Sequence, residues 1–404
     1  MSLSSAAEHL GTRLRSCRHV RILAHDDADG IAAAAILCLA LERAGIGFHV
    51  SLRDRIVPGT ITAEEDLLLC DLGASYPELP EETMVVDHHT PHFTGAWHVN
   101  PRLEGDDGEN GCSSAGAAYL VAQELGDNGD LAGLAITGMI GDRQSCTGVN
   151  RDICSEGMAA GTITPHRGLR LAGRDLSEQL LLAVDPCIER ISGDEDGVRA
   201  FLAGCTGEEE ELGCLVSRLV LEMADTAPAD ALLAIYGDRF ELGRETVHDA
   251  HTFAAMLEAC GKSGKGGLGL ALALRSSPGK AEAWEITRQY RLSVINTVRS
   301  ATLIAEMPAI YEIEGAHLTG AVADALAYSR VHTAPVVVLA RDGEAYAVSA
   351  RTPAGVGADC AALMEESARA AGGSGGGHAG RAGAYVPAGQ MDLFRNSLLG
   401  AIRA

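Results

Sequence analysis

Short β-branched runs alternate with longer Ala/Leu-rich stretches from residue 19 to about 145. Residues 19–24 read as an apolar strand, and 31–44 have the length and composition of a helix. Residues 48–52, 67–72, 84–87 and 97–100 are again short and apolar, while 114–125 and 131–141 read as helices. This βαβ rhythm predicts an α/β fold with a doubly wound, mainly parallel sheet. Between about 165 and 300 helical patterns dominate, with Thr206 ahead of Glu208, Glu209, Glu210 and Glu211 reading as an N-cap and an acidic first turn. From about 301 a smaller α/β region begins: 335–340 and 345–350 read as paired strands joined by a turn at 341–343, and 360–371 and 391–402 as helices. The run Gly372-Gly373-Ser374-Gly375-Gly376-Gly377-His378 lies inside this folded region and ends in a histidine, so it reads as a ligand-facing loop rather than a linker. The expected domains are 1–190, a mostly helical connector over 191–300, and 301–404.

With 404 residues, 47% hydrophobic and 22% charged, the chain can bury sizeable cores. No apolar run of membrane-spanning length and no basic-then-apolar leader pattern is present, so a soluble cytoplasmic protein without membrane association is expected. Eleven cysteines without a CxxC pair argue against a zinc ribbon or a disulfide framework. The net charge of -23 argues against a basic surface that coats duplex nucleic acid. Lysine occurs only at Lys262, Lys265 and Lys280, so any anion site must rely on arginines, metals or stacking.

The first apolar strand runs into His25-Asp26-Asp27-Ala28-Asp29-Gly30 just before a helix. Three carboxylates and an imidazole with no cation among them repel one another, and a divalent metal is the natural counter-charge. An N-cap role accounts for one aspartate, assigned to Asp29, and not for the cluster. Three further apolar segments end in Asp71, in Asp87-His88-His89 and in Asp142, at the kind of strand terminus where open α/β sheets bind ligands. Mixed carboxylate and imidazole donors suit manganese, or magnesium, better than structural zinc.

This set of motifs resembles the DHH phosphoesterase superfamily, named for the tripeptide found here at 87–89. The resemblance extends to Asn100-Pro101, to Cys112-Ser113-Ser114-Ala115-Gly116, and to Gly376-Gly377-His378, similar to the GGH loop of the DHH-associated C-terminal domain. The segment from His248-Asp249-Ala250-His251 to Ala259-Cys260-Gly261 is similar to archaeal RecJ-like exonucleases, including those associated with the GINS replication complex. The resemblance implies two divalent ions, one on His25, Asp27 and Asp71, the other on Asp29, Asp71, His88 and Asp142. It implies His89 facing the scissile phosphate, Asp87 orienting a histidine, and substrate contacts from Ser113, Ser114, Arg351, Gly375, Gly376, Gly377 and His378. Arg381 departs from the small residue common in relatives. His92 and His98 match no motif and read as structural or surface residues. Arg288, Arg291 and Arg299 share a helical face that either tracks a nucleic-acid backbone near Tyr290 or is a solvated surface pairing with Glu285.

The implied activity is a metal-dependent exonuclease of RecJ type, which admits a single strand to a cleft between two lobes and releases mononucleotides from its end. The alternatives are a nano-RNase or a phosphatase of 3'-phosphoadenosine 5'-phosphate, or a GINS-binding replication factor without catalysis. The complete ligand set speaks against the last. A family II pyrophosphatase fits less well, because that family lacks a GGH loop.

Overall fold

The computed structural model describes residues 2–57, 59–61, 66–204 and 211–403. In chain order its elements are α1 (Leu3–Arg15), β1 (His19–His25), α2 (Ala28–Arg43), β2 (Gly47–Arg53), β3 (Leu67–Cys70), β4 (Met84–Val86), β5 (His98–Val99), α3 (Pro101–Glu104), α4 (Ser114–Leu125), α5 (Ala132–Gly141), α6 (Gly148–Ala159) and β6 (Ile163–Leu169). There follow α7 (Leu176–Leu181), α8 (Glu195–Ala203), α9 (Glu211–Met223), α10 (Ala229–Ala234), β7 (Tyr236–Leu242), α11 (Ala250–Lys262), α12 (Gly266–Ala273) and α13 (Lys280–Ser300). The last stretch holds β8 (Thr302–Glu306), β9 (Ala309–Glu312), α14 (Thr319–Ser329), β10 (Val336–Asp342), β11 (Ala345–Arg351), α15 (Cys360–Ala370), β12 (Ser374–Gly377), β13 (Arg381–Pro387) and α16 (Met391–Arg403).

The chain divides into two compact units, Met1–His166 with Asp238–Thr287, and Arg167–Gly237 with Arg288–Ala404. The stretch expected as a connector is therefore shared, with 238–287 in the first unit and the remainder in the second. The expected cap at Thr206 and the acidic residues Glu208, Glu209 and Glu210 lie outside the described residues, as does the side chain of Glu211.

The first unit holds a five-stranded sheet in the order β2-β1-β3-β4-β5, with every pairing parallel. Strand β2 lies on one side of β1 and β3 on the other, so the winding reverses between β1 and β3. In such sheets the ligand crevice opens at the carboxyl ends of the two strands at that point, here His25 and the residue after Cys70. Helix α2 is buried almost all round because Ala32, Ala33, Ala34 and Ala35 let the sheet, α4 and α5 approach its axis closely. That close approach brings the starts of α2 and α4 and the end of α5 to the same crevice.

The second unit holds a six-stranded mixed sheet, β12-β13-β11-β10-β9-β8, in which β9 and β10 run parallel. The period of two on β10 divides two cores. Val336 and Val338 pack with Val294, Val298, Val322 and Leu326, whereas Val337 and Leu339 pack with Met364, Phe394 and Leu398.

Two local expectations are corrected. Residues 374–377 form an edge strand, β12, rather than a loop, pairing with β13 from Ser374↔Tyr385 to Gly377↔Ala382. Glycine is required there by packing: a Cβ on Gly375 would press on the Met364 carbonyl, and Gly377 sits at φ 141 against Arg381. Arg291 donates to the Leu182 carbonyl at 2.6 Å and Arg299 to the Ser192 carbonyl at 2.5 Å. These arginines fasten the part of α13 from Arg288 onward within the second unit instead of forming a free cationic face, and Arg288 reaches Glu195 at 3.7 Å rather than Glu285.

Candidate metal centre

Strand β1 ends at His25, and the chain turns directly into α2. Asp27 caps that helix, its Oδ1 accepting from the Gly30 amide at 2.9 Å, so the cap is Asp27 and not Asp29. A Cβ on Gly30 would clash with the His25 carbonyl, which is why glycine stands at this turn. The other Asp27 oxygen lies 2.6 Å from His25 Nδ1, and Asp71 Oδ2 lies 3.3 Å from the same nitrogen. Asp71 follows β3 with φ 57, a left-handed conformation uncommon for a residue with a Cβ and a recurrent mark of functional sites. His25 Nδ1 and Asp71 Oδ2 are both buried and find no well-aligned hydrogen-bond partner among the described residues. Donor atoms that converge at contact distance without sharing a proton have the arrangement a cation requires.

A second cluster lies beside the first. His88 Nε2 is 2.9 Å from Asp142 Oδ2 and 3.6 Å from Asp71 Oδ1, and Asp29, His88 and Asp142 converge as closely as a cation's ligands would. Asp71 therefore faces His25 with one oxygen and His88 with the other. Asp142 reaches this point as the C-cap of α5, the helix expected over 131–141, so its carboxylate comes from a helix end rather than a strand terminus. Asp29 is fully buried and accepts the Ser114 amide at 2.7 Å and the Ala115 amide at 3.0 Å at the start of α4. Gly138 leaves room for this carboxylate, since a Cβ there would collide with Asp29 Oδ1.

The electrostatics follow from burial. Desolvation, reinforced by Asp142, pushes the Asp29 carboxyl up to about 7. Desolvation, with Asp27 next, pushes Asp71 well above the usual carboxylate range. Burial opposes charging the His88 ring, but Asp142 and Asp71 outweigh it and raise His88 well above its ordinary value. So many carboxylates in so little volume store repulsion that a divalent cation would relieve.

The surrounding side chains fix the donors in place. His88 Nδ1 contacts the Gly108 carbonyl at 2.7 Å, which turns Nε2 toward Asp142. Gln144 lies 3.1 Å from the same ring, donates to the carbonyls of Gly108 and Cys112, and accepts from Asn150 at 2.8 Å. Asp87 is buried, accepting from the amides of Ala74, His88 and His89, and lies 2.8 Å from His89 Nδ1. Burial would raise its pKa, but His89, then His88 and the Ala74 amide, hold Asp87 below the usual carboxylate range. Asp87 thus orients His89, while Asn100 holds the His89 carbonyl at 2.9 Å.

Ser113 and Ser114 are fully buried. Ser113 caps α4 by accepting from the Gly116 amide, and Ser114 donates to Asp71 Oδ1 at 2.8 Å. Both serines thus brace the carboxylate cluster, Ser114 directly at Asp71 and Ser113 through the start of α4. His98 is buried and bonded to the Phe93 carbonyl, and His92 is exposed, as their lack of a motif suggested.

Helix α11 supplies contacts that no local pattern announces. Lys262 donates to Asp26 at 2.7 Å, Glu258 accepts from the Ala28 amide at 3.0 Å, and a Cβ on Gly261 would collide with the Asp26 carbonyl. The cation missing from the run 25–30 arrives from residue 262.

In the second unit Arg351 is buried and forms a two-armed pair with Asp324, which also binds Arg381 at 2.9 Å. Asp324 thereby ties together the paired ends of β11 and β13. His378 begins the turn between β12 and β13, its amide donating to the Arg381 carbonyl at 2.7 Å. As an edge strand, β12 leaves one row of backbone groups out of the ladder. Among the described residues no helix is long and apolar enough to cross a membrane.

Residues 19–139 match the model of the DHH family, N-terminal domain, and residues 309–404 that of the DHHA1 domain. An uncharacterized protein of Methanocaldococcus jannaschii is 25% identical over 405 residues, covering 93% of this chain and 91% of that protein. The single-stranded-DNA-specific exonuclease RecJ of Thermus thermophilus is 29% identical over 247 residues, covering 54% of this chain but only 37% of RecJ. The crystal structure of Thermus thermophilus RecJ with Mn2+ superposes with a TM-score of 0.62 at 20% identity, covering 99% of this chain and 54% of RecJ. Another structure of that RecJ carries Mg2+. CDC45 from Entamoeba histolytica has a TM-score of 0.63 at 11% identity, covering 99% of both chains, a likeness of fold alone.

Proposed function

The chain belongs to the DHH superfamily of phosphoesterases as a RecJ-like member, and from that premise we propose that it is a metal-dependent phosphodiesterase that releases nucleotides from the end of a single-stranded nucleic acid. The observation that carries the reading is the pair of donor clusters joined through Asp71, with buried His25 Nδ1 and Asp71 Oδ2 lacking well-aligned hydrogen-bond partners among the described residues. His25, Asp27 and Asp71 would hold one divalent ion, and Asp29, Asp71, His88 and Asp142 the other. When bound, such a pair supplies an activated water and neutralises charge on the phosphoryl oxygens. Manganese, with magnesium second, suits these oxygen and imidazole donors.

The remaining roles belong to the chain's own groups. Asp87 holds His89 with one ring nitrogen fixed, which leaves Nε2 to meet a phosphoryl oxygen or the departing hydroxyl. Ser114 and the amides opening α4 hold Asp71 and Asp29 in place, so the donors need no rearrangement during turnover. His378 and the unladdered edge of β12 offer donors to a terminal phosphate, and the buried pair of Arg351 with Asp324 fixes the ends of β11 and β13, the strand on which β12 is laid.

The test is hydrolysis of end-labelled DNA and RNA oligonucleotides of graded length with Mn2+. Mononucleotide release from long single strands supports the reading. Cleavage confined to dinucleotides would make the protein a nano-RNase, and no cleavage at any length would favour a non-catalytic role.

A further inference from the structure

Parallel sheets are normally covered on both faces, and the sheet of the first unit departs from this over β1 and β2. Val20, Ile22 and Ala24 of β1 are buried, whereas the alternate positions His19 and Arg21 are exposed. The parallel register sets Arg21 opposite His49 and Leu23 opposite Ser51, so His19, Arg21, His49 and Ser51 share one face. Together with Asp66 they line a cavity of about 540 Å3. Leu23, which lies between Arg21 and His25 on this face, is buried with Ile56, Leu67 and Leu69 and so separates the cavity from the metal centre at the end of β1.

In a chain of net charge -23 this lining is rich in donors. Its one carboxylate among the described residues, Asp66, meets the Arg13 guanidinium, which also donates to Ser16 Oγ at 3.1 Å and Cys17 Sγ at 3.0 Å. The other lining groups are a guanidinium, two imidazoles and a hydroxyl, with His49 Nε2 3.4 Å from Ser51 Oγ. A guanidinium carries five donors in a planar fork, so Arg21 can hold two phosphate oxygens beside any other partner. His19 stands two residues, about 6.6 Å, from Arg21 along β1, which leaves room for a sugar between a phosphate on Arg21 and a base stacked on the His19 ring. The cavity volume falls in the range of small-molecule sites and exceeds what a bare phosphate would fill.

We propose that this face of the sheet is a second ligand site, which binds a nucleoside monophosphate through its phosphate monoester on Arg21 and His49 and its base against His19. The site draws on none of the metal ligands, so it stands whether or not the metal-centre reading does. Free phosphate and a sugar phosphate share the same dianion, but neither has a base for His19 to meet.

The experiment titrates adenosine 5'-monophosphate, ribose 5-phosphate and inorganic phosphate by calorimetry into the full-length protein in EDTA, so that no metal-held phosphate contributes. The expected result is one adenosine 5'-monophosphate per chain, bound more tightly than either smaller phosphate. Arg21→Gln, and His19→Gln combined with His49→Gln, should each lower that affinity by about tenfold or more, because charge-assisted hydrogen bonds are lost. These side chains lie on the surface, and urea melts matching the wild type would show that both variants are folded. His378→Ala, in the second unit, should bind the nucleotide as the wild type does. Absence of nucleotide binding, equal affinity for inorganic phosphate, or affinity unchanged in the folded Arg21→Gln variant would each overturn the proposal. Loss of binding in His378→Ala alone would place the phosphate in the second unit and overturn it as well.

Discussion

Asp71 is the residue on which the two clusters depend. Its oxygens face His25 and His88, its backbone is held left-handed, and Ser114 fixes one of the oxygens. Replacing Asp71 or Asp29 with alanine is expected to abolish hydrolysis while leaving the metal-free fold at least as stable, because removing a buried carboxylate relieves repulsion. Steady-state assays and denaturant melts would check this. Activity within about tenfold of wild type, a loss of no more than about 1.4 kcal/mol, would contradict it. His25, Asp27, Asp71 and His88 were legible in the sequence because each follows an apolar run into a charged residue at a strand end. Gln144, Asn150, Glu258 and Lys262 were not. Each is a single polar residue far from the motif it supports, and only the packing of α6 and α11 brings it there.

At the scale of elements, the periodic segments were readable to within a few residues. The glycine run was read as a ligand-facing loop, whereas residues 374–377 pair as an edge strand, because glycine composition marks the close approach of neighbouring backbone as readily as a loop. Helix α11 shows how such packing can be tested. Gly261→Ala would press on the Asp26 carbonyl, push α11 off the turn that carries Asp27, cost about 1–3 kcal/mol and weaken Mn2+ binding. Gly267→Ala, on the exposed side of α12 with open space around it, should instead stabilise the protein by up to about 1 kcal/mol. Urea melts of the two variants decide the matter, and equal shifts would remove the packing argument. A second brace joins the end of α2 to Arg275, two residues past α12. Asp130 meets Arg43 at 2.7 Å and Arg275 at 2.6 Å, and although burial opposes it, these guanidiniums hold its carboxyl down to about 2. Because the folded-state pKa lies below the unfolded one, the resulting stability, about 1–2 kcal/mol at this partly exposed site, is complete above about pH 4 and is lost as pH falls toward 2. Asp130→Asn should therefore differ from wild type in urea melts at neutral pH and converge with it as the medium is acidified. A difference that persists unchanged to the lowest pH at which both are folded would show that the pair is not the cause.

For the whole molecule, the net charge of -23 leaves little attraction for a duplex backbone, and opening a duplex costs about 1.4 kcal/mol per step. Linear single strands should be degraded from an end, whereas blunt duplexes and closed single-stranded circles should resist, as gel assays of labelled substrates would show. Rapid digestion of circles would refute the end-directed reading. Broad fold class and the two α/β regions were visible in the alternation of short and long apolar segments. The grouping of 238–287 with the first unit was not, because helical periodicity does not say which sheet a helix covers. The central claim is that two divalent ions share Asp71, and a direct count of bound Mn2+ by equilibrium dialysis tests it. Two ions per chain in the wild type and loss of both sites in Asp71→Ala is the predicted result; a single ion or none in the wild type, or two retained by Asp71→Ala, would contradict it.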